Sequence, residues 1–352
     1  MWQGARHDAR ARWVRWRRRW TVRDDGLRSW PGWARGRVSA GLAVLVGLLL
    51  IGHSVVPNAG AGVGSLLETF LPWLGLAVPV LLILALWRRS ATGLLAVLVP
   101  AVAWLGLFGG FLLPGHLPGH LPDHLPDHGV AADLTAVTHN VSDENADPAA
   151  TARALNRVRP DLVALAELTP AARPAYLRGL GSDHPHYAMF GTVGLWSRYP
   201  IADARQLDIR PVGIPVGWDR GLRATVRLPT GDVAVYVAHL PSVRLRPGSG
   251  FDSTWRDESA RLLGAAMAAE PLRTIILLGD FNSTVDDRGL GPVTARMDST
   301  GSGFAFSWPA VFPVARVDQI MTRSATITEL WSLPATGSDH LPIAARIALP
   351  ER

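Results

Sequence analysis

The chain has 352 residues, 48% of them hydrophobic, and a mean hydropathy of +0.16, which is high for one soluble domain and points to membrane segments. Cysteine is absent, which excludes disulfides and thiolate chemistry. The net charge of +6 is unevenly placed: residues 1–37 carry +8, residues 38–128 carry −1 and residues 129–352 carry −1, so the basicity belongs to the N-terminal tail and not to the bulk.

Residues 1–37 are rich in Arg and Trp, as in Arg12-Trp13-Val14-Arg15-Trp16. They read as a cytoplasmic tail, either solvated or lying on anionic lipid with Arg on phosphates and Trp at headgroup level. Three apolar runs follow, over residues 38–56, 69–87 and 91–113, none containing Arg, Asp or Glu. Each approaches the roughly 20 residues that cross a bilayer, so three transmembrane helices are expected. Arg88-Arg89 lies between the second and third runs, while residues 57–65 hold no basic residue. The positive-inside rule then places the tail and Arg88-Arg89 in the cytoplasm, and everything after the third span outside. Residues 114–128 belong to a Leu-Pro-Gly/Asp-His repeat ending in His116, His120, His124 and His128. A proline every fourth residue forbids a regular helix and predicts an extended stalk.

From residue 129 the pattern is alternating α/β. Strands are expected over residues 134–141, 161–167, 191–197, 223–228, 233–239, 273–280, 317–321, 327–331 and 343–349. Asp147-Pro148 and Thr169-Pro170 each signal a helix start, and residues 254–269 read as a helix. Pro229-Thr230-Gly231-Asp232 reads as a hairpin turn. Hairpins mixed with helices argue for mixed sheets and against a doubly wound parallel one.

Polar residues recur at the strand ends. Asn140 closes the first strand, Glu167 the second and His239 a later one. Gly279-Asp280-Phe281-Asn282 follows the apolar run at 274–278, and the glycine is expected to turn the chain sharply at the strand end. Asp280 and Asn282, two residues apart, present a carboxylate and an amide side by side. Asp318 and the Ser338-Asp339-His340 tripeptide complete the set. Singly, each is a turn residue or a hydrogen-bonded side chain; together, each after an apolar strand, they point to one site.

This order of residues resembles the endonuclease/exonuclease/phosphatase superfamily, the DNase I-like phosphoesterases, over roughly residues 132–349. The resemblance implies an α/β four-layer sandwich, two mixed β-sheets flanked by helices, acting on phosphate esters with Mg²⁺ or Mn²⁺. It implies Glu167, Asn140 and Asp339 as metal ligands, with Asp280 and Asn282 orienting and activating water. It assigns charge stabilisation to His239 and His340, the orienting of neighbouring groups or assistance to the leaving group to Asp318, and the orienting of His340 to Asp339 as the alternative to its metal role. Arg220 and Arg223 are candidates for the substrate phosphate, alongside a plain reading as surface strand charges. Ser197 matches a structural strand. The chain departs from the family pattern at Ala166 and Gln319, and it has no Glu between Glu167 and Glu258. Three spans ahead of such a domain resemble the VanJ-type teicoplanin-resistance proteins. That implies a multi-pass bacterial membrane protein with an extracytoplasmic catalytic domain and a lipid-linked phosphate or pyrophosphate as substrate. An extracellular nuclease with nucleic acid as partner, or an inactive lipid- or partner-binding domain, are the alternatives.

Overall fold

The computed structural model describes residues 36–58, 62–112, 133–246, 250–298 and 303–350. The basic tail and the His-rich repeat lie outside the described residues. The described residues fall into two compact units, one made of those in 36–47 and 75–102, the other of those in 48–74 and 103–350.

In the first unit, the N-terminal parts of α1 (Arg37–Ile51) and α4 (Ala91–Phe108) meet α3 (Ala77–Trp87) at a small apolar cluster of Ala43, Leu81 and Val97. Gly93 permits that approach, since a Cβ there would stand 3.0 Å from the Ala85 Cβ and 3.1 Å from Ser39 Oγ.

The expectation of three spans needs correction. Among the described residues, only Ala91–Leu112 (22 residues) is one continuous helix long and apolar enough to cross a membrane. Fifteen residues of α1 rise only about 22 Å, short of the roughly 30 Å hydrocarbon core. The second run survives only as the helical stretch Leu71–Trp87, which a 70° bend at its start sets off from α2 (Val63–Thr69), so the two form a broken span at most. Pro72 removes a backbone donor at the break. Polar contacts then hold the chain before the bend in the second unit. The Glu68 carboxylate, 1% exposed, takes Arg288 Nε and Nη2 at 2.9 Å each and the Arg288 backbone N–H at 2.9 Å. Ser65 Oγ donates to Asp287 Oδ1 (3.0 Å), and Trp73 Nε1 to the Val314 carbonyl (2.7 Å).

The rest of the second unit is an α/β sandwich. A six-stranded sheet runs β12–β13–β1–β2–β4–β3 and a five-stranded sheet β11–β10–β7–β6–β5. The strands of the first are β1 (Asp133–Asn140), β2 (Leu162–Ala166), β3 (His186–Phe190), β4 (Val193–Ser197), β12 (Thr326–Ser332) and β13 (Ile343–Ala348). Those of the second are β5 (Ile201–Gln206), β6 (Gly221–Leu228), β7 (Gly231–His239), β10 (Ile275–Asp280) and β11 (Asp318–Arg323). A short hairpin, β8 (Arg244–Arg246) with β9 (Gly250–Asp252), stands apart. Both large sheets are mixed: β1–β2 and β7–β10 pair parallel, the other neighbours antiparallel.

Alternation along each strand decides the layers. Leu134, Ala136, Leu162, Ala164, Val235, Val237, Ile276 and Leu278 face inward and build the core between the sheets. The other face of the five-stranded sheet, with Tyr236, Ile275 and Leu277, is covered by α7 (Thr254–Ala268) through Ala260, Leu263 and Met267. The other face of the six-stranded sheet, with Val163 and Leu165, is covered by α5 (Pro148–Asn156) and α6 (Arg173–Leu180). Asp147 caps α5, its side chain accepting from the Ala150 N–H at 2.8 Å. Thr169 makes the same bond to Ala172 at 3.2 Å, yet α6 begins only at Arg173.

Arg223 is corrected here. It pairs across β7 with Tyr236, on the face that packs under α7 and away from the inter-sheet face. Its guanidinium is 5% exposed and grips Glu270 at 2.8 and 2.9 Å, while the Tyr236 hydroxyl donates to the same carboxylate at 2.7 Å. It is a structural cation. Burial raises the Glu270 carboxyl, but hydrogen bonds from Arg223, Tyr236 and the Leu272 N–H outweigh burial and hold it at about 2, below its ordinary 4.5. A depressed carboxyl stabilises the fold above its unfolded value and loses that contribution as pH falls toward the folded one. Thermal melting of the full-length protein is therefore expected to weaken between pH 4.5 and about 2. Glu270→Ala should abolish that pH dependence and cost about 3–5 kcal/mol, the scale for stranding a buried partner.

Candidate active site

The two sheets bring their strand ends to one mouth. β1 ends at Asn140 and β2 leads into Glu167, in one sheet; β7 ends at His239, β10 ends at Asp280 and β11 starts at Asp318, in the other. Asp280 is in register with His239 on one side and with Asp318 on the other. The turn before β13 supplies His340 from the opposite sheet.

Asp280 Oδ2 is the centre of the cluster. Asn140 Nδ2 donates to it at 2.9 Å and Asn282 Nδ2 at 3.3 Å. His239 Nε2 stands 3.7 Å away and His340 Nε2 3.9 Å. The other oxygen accepts the Asn282 backbone N–H at 2.8 Å. The carboxylate is only 1% exposed. His340 Nδ1 donates to Asp318 Oδ2 at 2.7 Å, which fixes the ring and points Nε2 at Asp280. Ser338 pins the turn: its hydroxyl donates to the Asn140 carbonyl (2.7 Å) and accepts the His340 backbone N–H (3.0 Å).

The backbone is bent to fit. Asn282 and Glu167 hold left-handed φ angles of 48° and 59°, which non-glycine residues adopt rarely. Asn282 is thereby turned back so that its amide also reaches the Leu240 carbonyl at 3.0 Å. Gly279 serves differently from the sharp turn expected of it. It lies within β10 at φ 145°, and a Cβ there would sit 1.9 Å from the Ala238 carbonyl oxygen. The glycine permits close pairing with β7.

The electrostatics divide the groups. Burial raises the Asp280 carboxyl; His340 opposes this and Asp318 adds to it, leaving the group at about 7. Burial alone would lower His340, but Asp318 and Asp280 overcome it and raise the imidazole to about 10, so it is cationic at neutral pH. His239 is pushed well down by burial, by Arg220 and by His340, and stays neutral. Arg220 Nη1 lies 3.1 and 3.2 Å from the two His239 ring nitrogens, and its guanidinium covers the Trp218 ring at 5.0 Å. Buried His139, beside Asn140, is lowered to about 3 by burial and hydrogen-bonds Thr336 Oγ1 at 2.7 Å.

Glu167 is the open oxygen donor. Its side chain is 28% exposed, accepts only the Asp143 backbone N–H at 3.3 Å, and lies 3.7 Å from His239. Those free lone pairs suit a hard divalent cation such as Mg²⁺ or Mn²⁺, and Asn140 Oδ1, which accepts the Ser142 N–H at 3.0 Å, is a further oxygen at the strand ends. Asp280, Asp318 and His340 also offer ligand atoms within 4.8 Å of one another. That trio fits such an ion poorly, because His340 and Asp318 are already bonded to each other and the nitrogen is a softer donor. Asp339 does not join: it is exposed, and its backbone carbonyl accepts from Ala310 while Asp318 orients His340.

Sequence reasoning missed Ser338 as the anchor of the His340 turn, and it left Arg220 without its partner His239. The Asp143 N–H and the Leu240 carbonyl are backbone groups that carry no sequence signal. Gln319, the departure from the family pattern, donates Nε2 to the Ser283 and Arg316 carbonyls at 2.9 and 2.6 Å, tying β11 to the loop after Asn282.

No curated protein matches the chain in sequence. Among solved structures, beta toxin from Staphylococcus aureus aligns with a TM-score of 0.50 at 16% identity, covering 60% of this chain and 99% of its own. Sphingomyelinase C from Streptomyces griseocarneus aligns at 0.47 and 15% identity, covering 61% and 99%. An endonuclease/exonuclease/phosphatase from Beutenbergia cavernae aligns at 0.49 and 19%, covering 62% and 72%. The model of the endonuclease/exonuclease/phosphatase family matches residues 137–340, from within β1 to His340, and the chain belongs to that family.

Proposed function

We propose that this protein is a metal-dependent phosphoesterase that hydrolyses a phosphate ester or pyrophosphate. One observation carries the reading: a buried carboxylate, Asp280, ringed by two amides and two imidazoles at the mouth of both sheets, with the open carboxylate of Glu167 beside it. Glu167 and Asn140 would hold Mg²⁺ or Mn²⁺, which when bound supplies positive charge to a phosphoryl oxygen. Asp280, poised near neutrality, takes the proton of the attacking water. Asn282 and Asn140 fix that carboxylate and the water it orients. His340, kept protonated by Asp318, offers its Nε2 proton to the charge that grows on phosphorus oxygens, and Arg220 adds a second cation through its contact with His239.

The substrate reading is a lipid-linked phosphate or pyrophosphate of the cell envelope, met at an outer membrane face. Three observations support it. Ala91–Leu112 is apolar and only 17% buried over its span window. Arg88-Arg89 lies immediately before it, which favours a cytoplasmic start and an extracytoplasmic catalytic domain. Residues 63–74, next to the apolar segments, belong to the same compact unit as the site, so a membrane-embedded substrate would be met at high effective concentration. The resemblance to VanJ-type proteins agrees with this placement.

Two outcomes are expected. Asp280→Asn and His340→Ala should each lower turnover by about 10²–10⁴-fold, the scale for a positioned proton-transfer group, while Asp318→Asn should move the alkaline limb of the pH–rate profile from about 10 to lower pH. An unshifted limb in Asp318→Asn would remove His340 from the mechanism. Assayed on a panel of substrates, the wild type should release phosphate from a polyprenyl phosphate or pyrophosphate and cleave duplex DNA little at physiological salt, since residues 129–352 carry −1 and lack the broad basic face that DNA needs. Efficient DNA degradation without phosphate release from lipid would establish the nuclease reading instead.

A further inference from the structure

A cleft separate from the Asp280 cluster lies in the second unit, behind the start of β11. Its empty volume is about 490 Å³, open solvent at the mouth included. One wall is aromatic. Phe304 sits 5.2 Å from Phe111, 6.2 Å from Phe108 and 5.2 Å from Phe306, centroid to centroid. Phe111 ends the long apolar helix, next to the buried Phe108, so the wall adjoins the segment proposed to meet lipid.

Arg316 and Asp286 also line the cleft. Arg316 is 7% exposed, and its Nη1 is buried with no hydrogen-bond partner. Among the described residues, no carboxylate comes within ion-pair distance of it. Asp286 compensates it only at longer range. A guanidinium out of water and without a paired anion is costly, and its planar fork matches phosphate oxygens. The site therefore combines a charge without a paired anion with an apolar aromatic lining.

We infer that this cleft binds the phosphate headgroup of a membrane lipid at Arg316, with the hydrocarbon chain lying over Phe111, Phe304 and Phe306. The inference rests on the reading that Ala91–Leu112 lies in a bilayer. It places lipid binding apart from the hydrolytic centre: Asp318 turns toward His340, whereas Arg316, two residues earlier, faces the cleft. A lipid held there would seat the protein against the membrane surface that presents its substrate.

Tryptophan fluorescence gives the test. Trp73 stacks on Phe306 at 5.7 Å and Trp104 lies 6.5 Å from Phe304, so a brominated chain in the cleft would quench both. Full-length protein would be placed in phosphatidylcholine nanodiscs containing either brominated phosphatidic acid or brominated phosphatidylcholine. Quenching should be severalfold stronger with phosphatidic acid. Arg316→Gln should erase the difference between headgroups, and Phe304→Ala, which spares the charge, should weaken quenching by phosphatidic acid. The same experiment on Glu167→Gln separates the two sites: hydrolysis should be lost and the quenching difference kept. Equal quenching by both lipids in the wild type would overturn the inference. So would abolition of the difference by inorganic phosphate alone, which would mark a soluble-anion site, or its loss in Glu167→Gln, which would place the lipid phosphate in the hydrolytic centre.

Discussion

A carboxylate buried between two sheets must be met by donors, and the site follows from that requirement. Asp280 is 1% exposed, so its charge cannot be left to water. Two amides, a backbone N–H and two imidazoles converge on it from both sheets. The fold makes this convergence possible because β1 and β2 of one sheet and β7 and β10 of the other all end at the same mouth. The left-handed backbone at Asn282 and Glu167 is the local cost of aiming those side chains, offset by the rigid strands that precede them.

A second constraint links the site to the apolar segments. The loop after Asn282 passes through Thr284 and Asp286 to Arg288, and Arg288 is clamped by Glu68 and by the carbonyls of His53 and Val56. Asp287 is held at the same point by Ser65 and by Arg256, at 3.0 and 2.6 Å. Polar groups thus fasten α2, ahead of the bend, to the loop that follows Asn282.

Much of the soluble fold was legible in the sequence. The strands ending in Asn140, His239 and Asp280 are apolar runs bounded by polar residues, and each was placed within two residues at its site end. Strands β3 and β5 were missed because they are edge strands with half-buried or exposed residues and no continuous apolar run. The span count failed because composition does not register the Pro72 break or the buried carboxylate beside it. Arg223 failed for a related reason: an arginine in a strand can face either layer, and the choice was made by Tyr236 and Glu270, which lie far from it in sequence. Glu167, Asp280, Asp318 and His340 were singled out because polar residues recurring at strand ends are themselves sequence information, and the structure brings those strand ends to one mouth. The pairing of His340 with Asp318 in place of Asp339 was not, since adjacent residues point in different directions from one tight turn.

The central claim is that Glu167 is the open oxygen ligand of a divalent ion beside Asp280. Calorimetric titration of the metal-free full-length protein with Mn²⁺ tests it without any assay of turnover. One ion should bind per chain, and Glu167→Gln should weaken that binding by more than about tenfold, equivalent to about 1.4 kcal/mol. Mn²⁺ binding that is unchanged in Glu167→Gln would contradict the account.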